Sequence, residues 1–479
     1  MAGLLLRIYG LQYQSLWIDE SYSVTAAVGM IETGVPQMPS GELYTRSILN
    51  TGVIALSMLI FGINEFGARL PSVFFGVLTI LIIYLLSREL FGERVALITA
   101  FIITFSVVEI AWSRQARMYQ QLQFFYLLSL YLFYKYINTK ELKFGLLTIS
   151  SIICSILTHA LGLTLLIILP AYYLLSNITN IKNLSNLKEE LLEKRTLILF
   201  SIILTAFALS EIFFNAFSQV LNVRMDYSKN YIWYLKSFFP IIFYLAIPGI
   251  IIAFRDNWKQ TLLPLLAFLI PLYFIFFHEK LLGYRYVFFV LPFMFLFFSK
   301  AIDHISRTFI KNKALQYLVI VIIVCLLFST SLNIVPKKEY YLEPMAPQPD
   351  FISVYSYLQE HREPDDILIS SYPEVDLWFN QTPDYWLAFS IAGFSPSNWM
   401  DETETVYRRT GTPAIKNIED LEKVYENNQR GWLILDSLSG SRIPKVYWDF
   451  IKNNTIWEEG PSKPGPAGAV NLYSWDKEL

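Results

Sequence analysis

The sequence predicts a mainly α-helical polytopic membrane protein with a C-terminal soluble α/β domain, and three observations carry that prediction. Hydrophobic residues make up 54% of the 479-residue chain, aromatic residues 16% and charged residues only 16%, well above the apolar and below the charged fraction of soluble domains. Apolar runs long enough to span a bilayer recur from the N-terminus to about residue 331. Beyond Pro336 the character changes: proline-rich joints such as EPMAPQPD appear, and charged and apolar residues alternate at ordinary globular spacing.

The first apolar segment, Met1–Gln14, would reach only about 20 Å as a helix against roughly 30 Å of hydrocarbon. Either the true start lies upstream or this helix sits shallow. It lacks a basic n-region and a small-residue cleavage site, so a retained anchor is expected. Further spans are expected near Leu70–Leu86, Val95–Ala111, Gln121–Tyr136, Phe144–Thr158, Leu161–Leu175, Leu197–Phe214, Phe238–Phe254, Leu262–Phe277, Val287–Phe298 and Tyr317–Ser331, giving about 11 transmembrane helices. Phe144–Leu175 reads as two short helices meeting at Thr158-His159, with one long tilted helix as the alternative.

Alternate loops carry Arg88/Arg94, Lys135/Lys140/Lys143, Lys182/Lys188/Lys194/Arg195, Arg255/Lys259 and Lys300/Arg307/Lys311/Lys313, and these are expected on the cytoplasmic side. The first loop, about residues 12–68, then lies outside, as do Trp112–Tyr119, His159, Ala216–Lys236, His278–Arg285 and the tail. The domain division expected is 1–335 in the membrane and 336–479 as an extracytoplasmic domain of a multi-pass plasma-membrane protein. In the tail, Phe351–His361, Ile418–Asn428 and Pro444–Lys452 read as helices, and Asp366–Ser371, Trp432–Asp436 and Val470–Trp475 as strands. No G-x-G-x-x-G follows a strand, which leaves nucleotide binding unsupported.

The formal net charge of -2 and the lack of a long basic stretch argue against nucleic acid as a partner. Cys154 and Cys325 lie in apolar runs and suggest no disulfide framework. Four histidines without Cys/His spacing suggest no metal site; a divalent cation at Asp19 is left open. No cofactor is otherwise expected.

The chemistry-bearing residues gather on the outer side. Asp19 and Glu20 follow the first span in SLWIDESYSV; Glu65 and Arg69 sit at i,i+4 before Pro71; Arg114 and Arg117 precede the span near Tyr119; Lys280 and Arg285 flank the loop before Val287. Each has an ordinary explanation: solvated loop acids, a helix-surface ion pair, arginines snorkelling to the interface, a hydrogen-bonded structural histidine at His159. Outer loops are usually poor in Arg and Lys, however, so several arginines there call for a reason. Glu109 and Glu211, within apolar spans, suggest a polar cavity.

One reaction uses an outward carboxylate, outward arginines and a bilayer-facing cavity together: transfer of a sugar from a polyprenyl phosphate to a hydroxyl. The leaving phosphate needs fixed cations, and the acceptor hydroxyl needs one base. A glycoside hydrolase would need two opposed carboxyl groups. Asp19 is assigned as base, and Glu20 would position the acceptor or order the cationic side.

These residues lie in stretches that resemble the GT-C superfamily of membrane glycosyltransferases, of the dolichyl-phosphate-mannose protein mannosyltransferase and aminoarabinose transferase type. The stretches are LWIDESYSV, FGINEFGARLPSVFFGVLTILIIYLLSRELFGERVAL, SRQARMYQ, LTHALGL and GYRYVFFVLPF, covering roughly residues 1–335 in order. The resemblance implies a GT-C-like fold, a polyprenyl-phosphate sugar donor, inversion at the anomeric carbon, and an Asp in the first outer loop as base. By motif, Asp19 and Glu20 form the acid pair, and Arg69, Arg114, Arg117 and Arg285 would meet the donor phosphate. Where many relatives carry a His-Pro-Pro-like segment, this chain has PSGELYTRSILN, which brings Glu42, Tyr44 and Arg46 toward the expected cavity, with Glu65, His159 and Lys280 as further lining. The hydroxyl acceptor, whether protein, lipid or envelope glycan, is not inherited.

Two other classes compete. A transporter or flippase for lipid-linked sugar would use Glu109 and Glu211 as coupling groups at mid-membrane. A non-catalytic membrane scaffold would present the α/β tail to an outer partner.

Overall fold

The computed structural model describes residues 1–177, 226–279, 282–329, 349–388, 396–440, 442–460 and 470–478. The protein is mainly helical, with a sheet confined to the C-terminal region. In chain order the helices are α1 (Ala2–Ile8), α2 (Ile18–Thr33), α3 (Ile48–Phe61), α4 (Glu65–Phe91), α5 (Glu93–Phe105), α6 (Val107–Trp112), α7 (Met118–Thr139), α8 (Leu142–Thr158) and α9 (Leu165–Asn177). They continue with α10 (Ser228–Phe238), α11 (Pro240–His278), α12 (Leu291–Phe309) and α13 (Lys313–Ser329). Among the described residues, Glu65–Phe91, Pro240–His278 and Tyr284–Phe309 are long and apolar enough to cross a membrane, and Ile48–Phe61, Leu142–Thr158, Ala160–Ser176 and Lys313–Ile323 are shorter apolar helices. The span expected at Leu197–Phe214, with Glu211, lies outside the described residues.

Several helices end sooner than the apolar runs suggest, and polar groups take up the carbonyls released. The run Val95–Ala111 is two helices, parted at Ser106, whose backbone is extended. Arg7, buried in α1, donates to the Ile103 and Thr104 carbonyls at 3.0 and 3.2 Å, which the interruption leaves without helical partners. Helix α1 itself is only seven residues long, about half the segment expected. Near the centre of α11, Asn257 adopts φ -158, ψ 96 and breaks the helix, separating the two spans that Phe238–Phe254 and Leu262–Phe277 foretell. Helices α8 and α9 part at Thr158-His159 as expected, with His159 Nδ1 accepting from Leu161 N at 3.1 Å.

In α4, Pro71 offers no N–H to the Gly67 carbonyl, four residues earlier. The Ser57 hydroxyl of α3 donates to it instead at 2.6 Å. Gly67 must be glycine for α3 and α4 to turn so closely, because a Cβ there would sit 2.2 Å from the Gly62 carbonyl oxygen.

The C-terminal region is a six-stranded sheet of order β3-β2-β1-β4-β6-β5, with β1 (Ile367–Ser370), β2 (Tyr385–Leu387), β3 (Ala414–Ile415), β4 (Arg430–Asp436), β5 (Ile456–Trp457) and β6 (Val470–Asp476). The first four in that order are parallel, and β6 runs antiparallel to β4 and β5. Helices α14 (Phe351–His361), α15 (Pro373–Trp378), α16 (Ile418–Asn427), α17 (Ser437–Gly440) and α18 (Lys445–Asn454) complete it. The three longest strands and the helices α14, α16 and α18 coincide with the sequence reading. Strands β2, β3 and β5, of two or three residues, are too short to show a period.

The chain divides into two compact units that differ from the expected split at residue 335. One holds Met1–Arg7, Ser72–Ser113 and the described part of Met118–Asn333; the other joins Ile8–Pro71 and Arg114–Arg117 to the described residues of the tail. The reason for the second grouping is a shared core: Ile18, Tyr22, Ala26, Met38 and Tyr44 are buried in one cluster with Phe351, Val354, Tyr355, Leu368, Tyr372 and Val375.

Within this core Asp376 is fully buried and accepts from the Tyr355 hydroxyl at 2.6 Å. Burial above all pushes its carboxyl up from 3.8 to about 7, with the Ser370 and Tyr355 hydrogen bonds opposing and Glu374 adding to the rise. The folded state therefore holds this proton to higher pH than the unfolded chain, and the stability it contributes is lost as pH rises from about 4 through about 7. Thermal melts of the full-length protein in detergent should show Asp376→Asn gaining on the wild type across that window, whereas a pH-independent difference contradicts the assignment. For the proline carbonyl, Ser57→Ala should cost about 1 to 2 kcal/mol of unfolding free energy, the usual cost of stranding a buried acceptor.

Candidate active site

Asp19 and Glu20 occupy the first turn of α2, where carboxylates are favoured by free backbone N–H groups and the helix dipole. Consecutive side chains leave a helix about 100° apart, and these two enter different surroundings. Glu20 is fully buried. Its Oε1 accepts from Arg69 Nε at 2.8 Å and from Ala116 N at 2.6 Å. Its Oε2 accepts from Arg69 Nη2 at 2.7 Å and from Trp17 N at 3.3 Å.

Arg69 is equally enclosed. Besides Glu20 it donates to the carbonyls of Leu11 at 2.9 Å, Gln14 at 2.8 Å and Ser15 at 2.8 Å. A guanidinium has five N–H groups, and in this arrangement all are taken. Arg114 also serves the non-helical stretch after α1, donating to the carbonyls of Tyr9 and of Gly10, the latter at 3.1 Å. The segment 9–15 thus gains from two arginines the hydrogen bonds that a longer α1 would have supplied.

Arg117, almost wholly buried, faces Asp19. Its Nη1 donates to the Asp19 carbonyl and to Ser23 Oγ, both at 2.7 Å, and to the Tyr44 hydroxyl at 3.4 Å. Its Nη2 lies 3.5 Å from Asp19 Oδ2, with the Asp19 side chain 20% exposed against 2% for Arg117. From Gln14 to Val24, Asp19 alone is not buried. The helix start therefore presents one accessible carboxylate, braced from behind by a guanidinium.

The lining residues expected near it diverge in use. Tyr44 is buried beside Arg117; burial raises its hydroxyl, but Arg117, Arg46 and Arg409 outweigh burial and hold it below the ordinary tyrosine value. Arg46 is exposed. Glu42 pairs with Arg408 at 2.9 Å. Glu65 does not form the expected i,i+4 pair with Arg69: it accepts from the Trp378 indole at 2.9 Å, because Arg69 is turned toward Glu20 and the backbone.

His159 and Arg285 belong to the other compact unit. There the rings of His159, Tyr119 and Tyr286 lie 6.0 to 6.2 Å apart pairwise. Arg285 is half-buried, its guanidinium 5.3 Å from the Tyr286 ring centre. Glu109 is fully buried and accepts from Gln123 at 3.0 Å, which in turn accepts from Gln120 at 2.8 Å. Lys280 lies outside the described residues. The site residues that sequence reasoning passed over are Tyr22, Glu374, Tyr407 and Arg409, described below, and Arg7, whose isolation in an apolar run was its one signal.

Solved structures share this architecture across nearly the whole chain. ArnT from Cupriavidus metallidurans bound to undecaprenyl phosphate superposes with a TM-score of 0.62 at 12% identity, covering 98% of this chain and 96% of that one. The fold is that of the GT-C glycosyltransferases. The oligosaccharyltransferase of Archaeoglobus fulgidus, in its apo form, shares the GT-C fold with a TM-score of 0.59 at 13% identity, over 91% of this chain and 68% of that one. The family model of dolichyl-phosphate-mannose-protein mannosyltransferases matches residues 47–210, which include α3, α4, Arg69, Arg114 and Arg117. An uncharacterized protein of Aquifex aeolicus (strain VF5) is 33% identical over 178 residues, and the chain covers 36% of the length of that relative.

Removing one member of a buried, hydrogen-bonded ion pair strands the other. Glu20→Gln should therefore lower the unfolding free energy of the detergent-solubilised protein by about 3 kcal/mol. Lys143→Met, at a pair both of whose side chains are largely exposed, should change it by less than about 1 kcal/mol. Equal effects would refute the keystone role of Glu20.

Proposed function

We propose that this chain is a membrane glycosyltransferase that moves a sugar from a polyprenyl-phosphate donor to a hydroxyl acceptor on the outer face of the plasma membrane, with Asp19 as general base. The observation that carries this reading is the lone accessible carboxylate at the start of α2, held 3.5 Å from Arg117. The GT-C fold, and the polyprenyl phosphate bound by ArnT, support a donor of this class.

Asp19 takes the proton of the acceptor hydroxyl as its oxygen bonds to the anomeric carbon. The bond between that carbon and the phosphate oxygen breaks from the opposite side, so the configuration inverts, and polyprenyl phosphate leaves with the electron pair. A carboxylate is ionised at neutral pH and suits the base role. Arg117 fixes the direction of its oxygens rather than meeting the phosphate. Glu20 and Arg69, having used their hydrogen-bonding groups on each other and on the backbone, fix the helix that carries the base. The family resemblance is the ground for assigning Arg285, which lies against the Tyr286 ring, to the donor phosphate; a fixed cation lowers the cost of the charge that develops on a leaving phosphate. The outer-face location rests on the distribution of basic residues among the loops.

Asp19→Asn should leave the protein folded and lower sugar transfer in donor-supplied membranes by at least about 100-fold, the scale of a lost general base. Wild-type turnover by that variant would falsify the assignment. Arg285→Ala should weaken binding of undecaprenyl phosphate about tenfold, which corresponds to one charge-assisted contact; unchanged binding would move the phosphate elsewhere.

A further inference from the structure

We propose that Arg409, in the C-terminal domain, is a positioning residue for the transfer step, acting on Asp19 through α2. This rests on the reading of Asp19 as base. Tyr22 lies three residues after Asp19, on the same side of α2, and is buried. The Arg409 guanidinium lies 3.7 Å from the centre of the Tyr22 ring and 5.1 Å from that of Trp399, so it is stacked on the helix that bears the base.

What holds Arg409 there comes from the sheet. Glu374, fully buried, places Oε1 3.8 Å from Arg409 Nη1 and accepts from the Tyr407 hydroxyl at 2.6 Å. Tyr22 in turn shares a hydrogen bond with Tyr407. Glu374 follows the carboxyl end of β1, the strand from which the chain runs out to β2 and β3 and then returns to β4 on the other side. Open α/β sheets present their working side chains at such a switch point; here that edge faces α2.

A second route leads from the same residues to the same carboxylate. Ser40 N donates to the Arg409 carbonyl at 2.9 Å, its hydroxyl donates to the Arg408 carbonyl, and Arg408 pairs with Glu42. These contacts hold the loop that carries Tyr44, and Tyr44 accepts from Arg117, the arginine that braces Asp19. Arg408 and Arg409 thus control both the rotation of α2 and the wall behind its base. A displacement of about 1 Å in a catalytic group can cost about 100-fold in rate.

The test uses the full-length protein in vesicles made from membranes of its own host lacking the gene, which contain donor and acceptor. Release of polyprenyl phosphate is followed at limiting and saturating donor extract, and binding of undecaprenyl phosphate counts the folded sites. Arg409→Met should lower kcat per binding site at least 30-fold with KM for donor within about threefold of wild type, a split expected when geometry at the reacting atoms is lost and ground-state binding is kept. Tyr22→Leu should match it, and the double variant should be no slower than either single one, since both remove one contact. Tyr22→Phe, which keeps the ring under the guanidinium, should recover at least tenfold of the rate lost in Tyr22→Leu. Wild-type kcat in Arg409→Met, or a fall matched by the loss of binding sites, overturns the positioning role. Asp19→Asn is run alongside: if it is inactive while Arg409→Met turns over normally, this inference alone fails, and if it is active, the base assignment fails with it.

Discussion

The buried pair of Glu20 and Arg69 is the constraint on which the rest of the site depends. Two opposite charges removed from water are tolerable only when every lone pair and every N–H is satisfied, and here the backbone supplies what the pair lacks. Glu20 takes the Trp17 and Ala116 amides; Arg69 takes the carbonyls of Leu11, Gln14 and Ser15. Three stretches far apart in sequence are thereby fixed to one another: the chain after α1, the start of α4 and the segment 114–117. Asp19, one residue before Glu20, inherits its place from that assembly, with Arg117 of the segment 114–117 against its carbonyl and carboxylate and its side chain 20% exposed.

The same economy recurs at other helix interruptions. An apolar surrounding offers no water to an orphaned carbonyl, and three interruptions are matched by side-chain donors: Arg7 at the end of α5, Ser57 at the proline of α4, Arg69 and Arg114 after α1. Three of these donors are arginines, a residue whose planar fork can serve several carbonyls at once. Much of the cationic character that suggests an anion site from sequence is therefore spent on backbone, and the chemistry narrows to the few groups that remain.

The C-terminal domain is part of this construction rather than an appendage to it. Its sheet core continues through Tyr22, Ala26, Met38 and Tyr44, and Trp378 reaches Glu65 at the start of α4. A reading of the tail as a display platform for a distant partner sits poorly with a hydrophobic core that it shares with the helix bearing the acid pair.

Composition and hydropathy by themselves determined the membrane class, the join at Thr158-His159, and the strands and helices of the tail long enough to show a period, because these are local properties summed over a continuous run of residues. The acid pair and the arginines at 69, 114 and 117 were also legible, as charges where charges are costly. Only the tertiary structure decided which of two adjacent acids is accessible, which arginines are spent on carbonyls, and that Arg409 stacks on Tyr22. Those outcomes turn on which hydrogen-bonding groups distant segments leave unfilled, and a pattern read along the chain carries no record of that accounting.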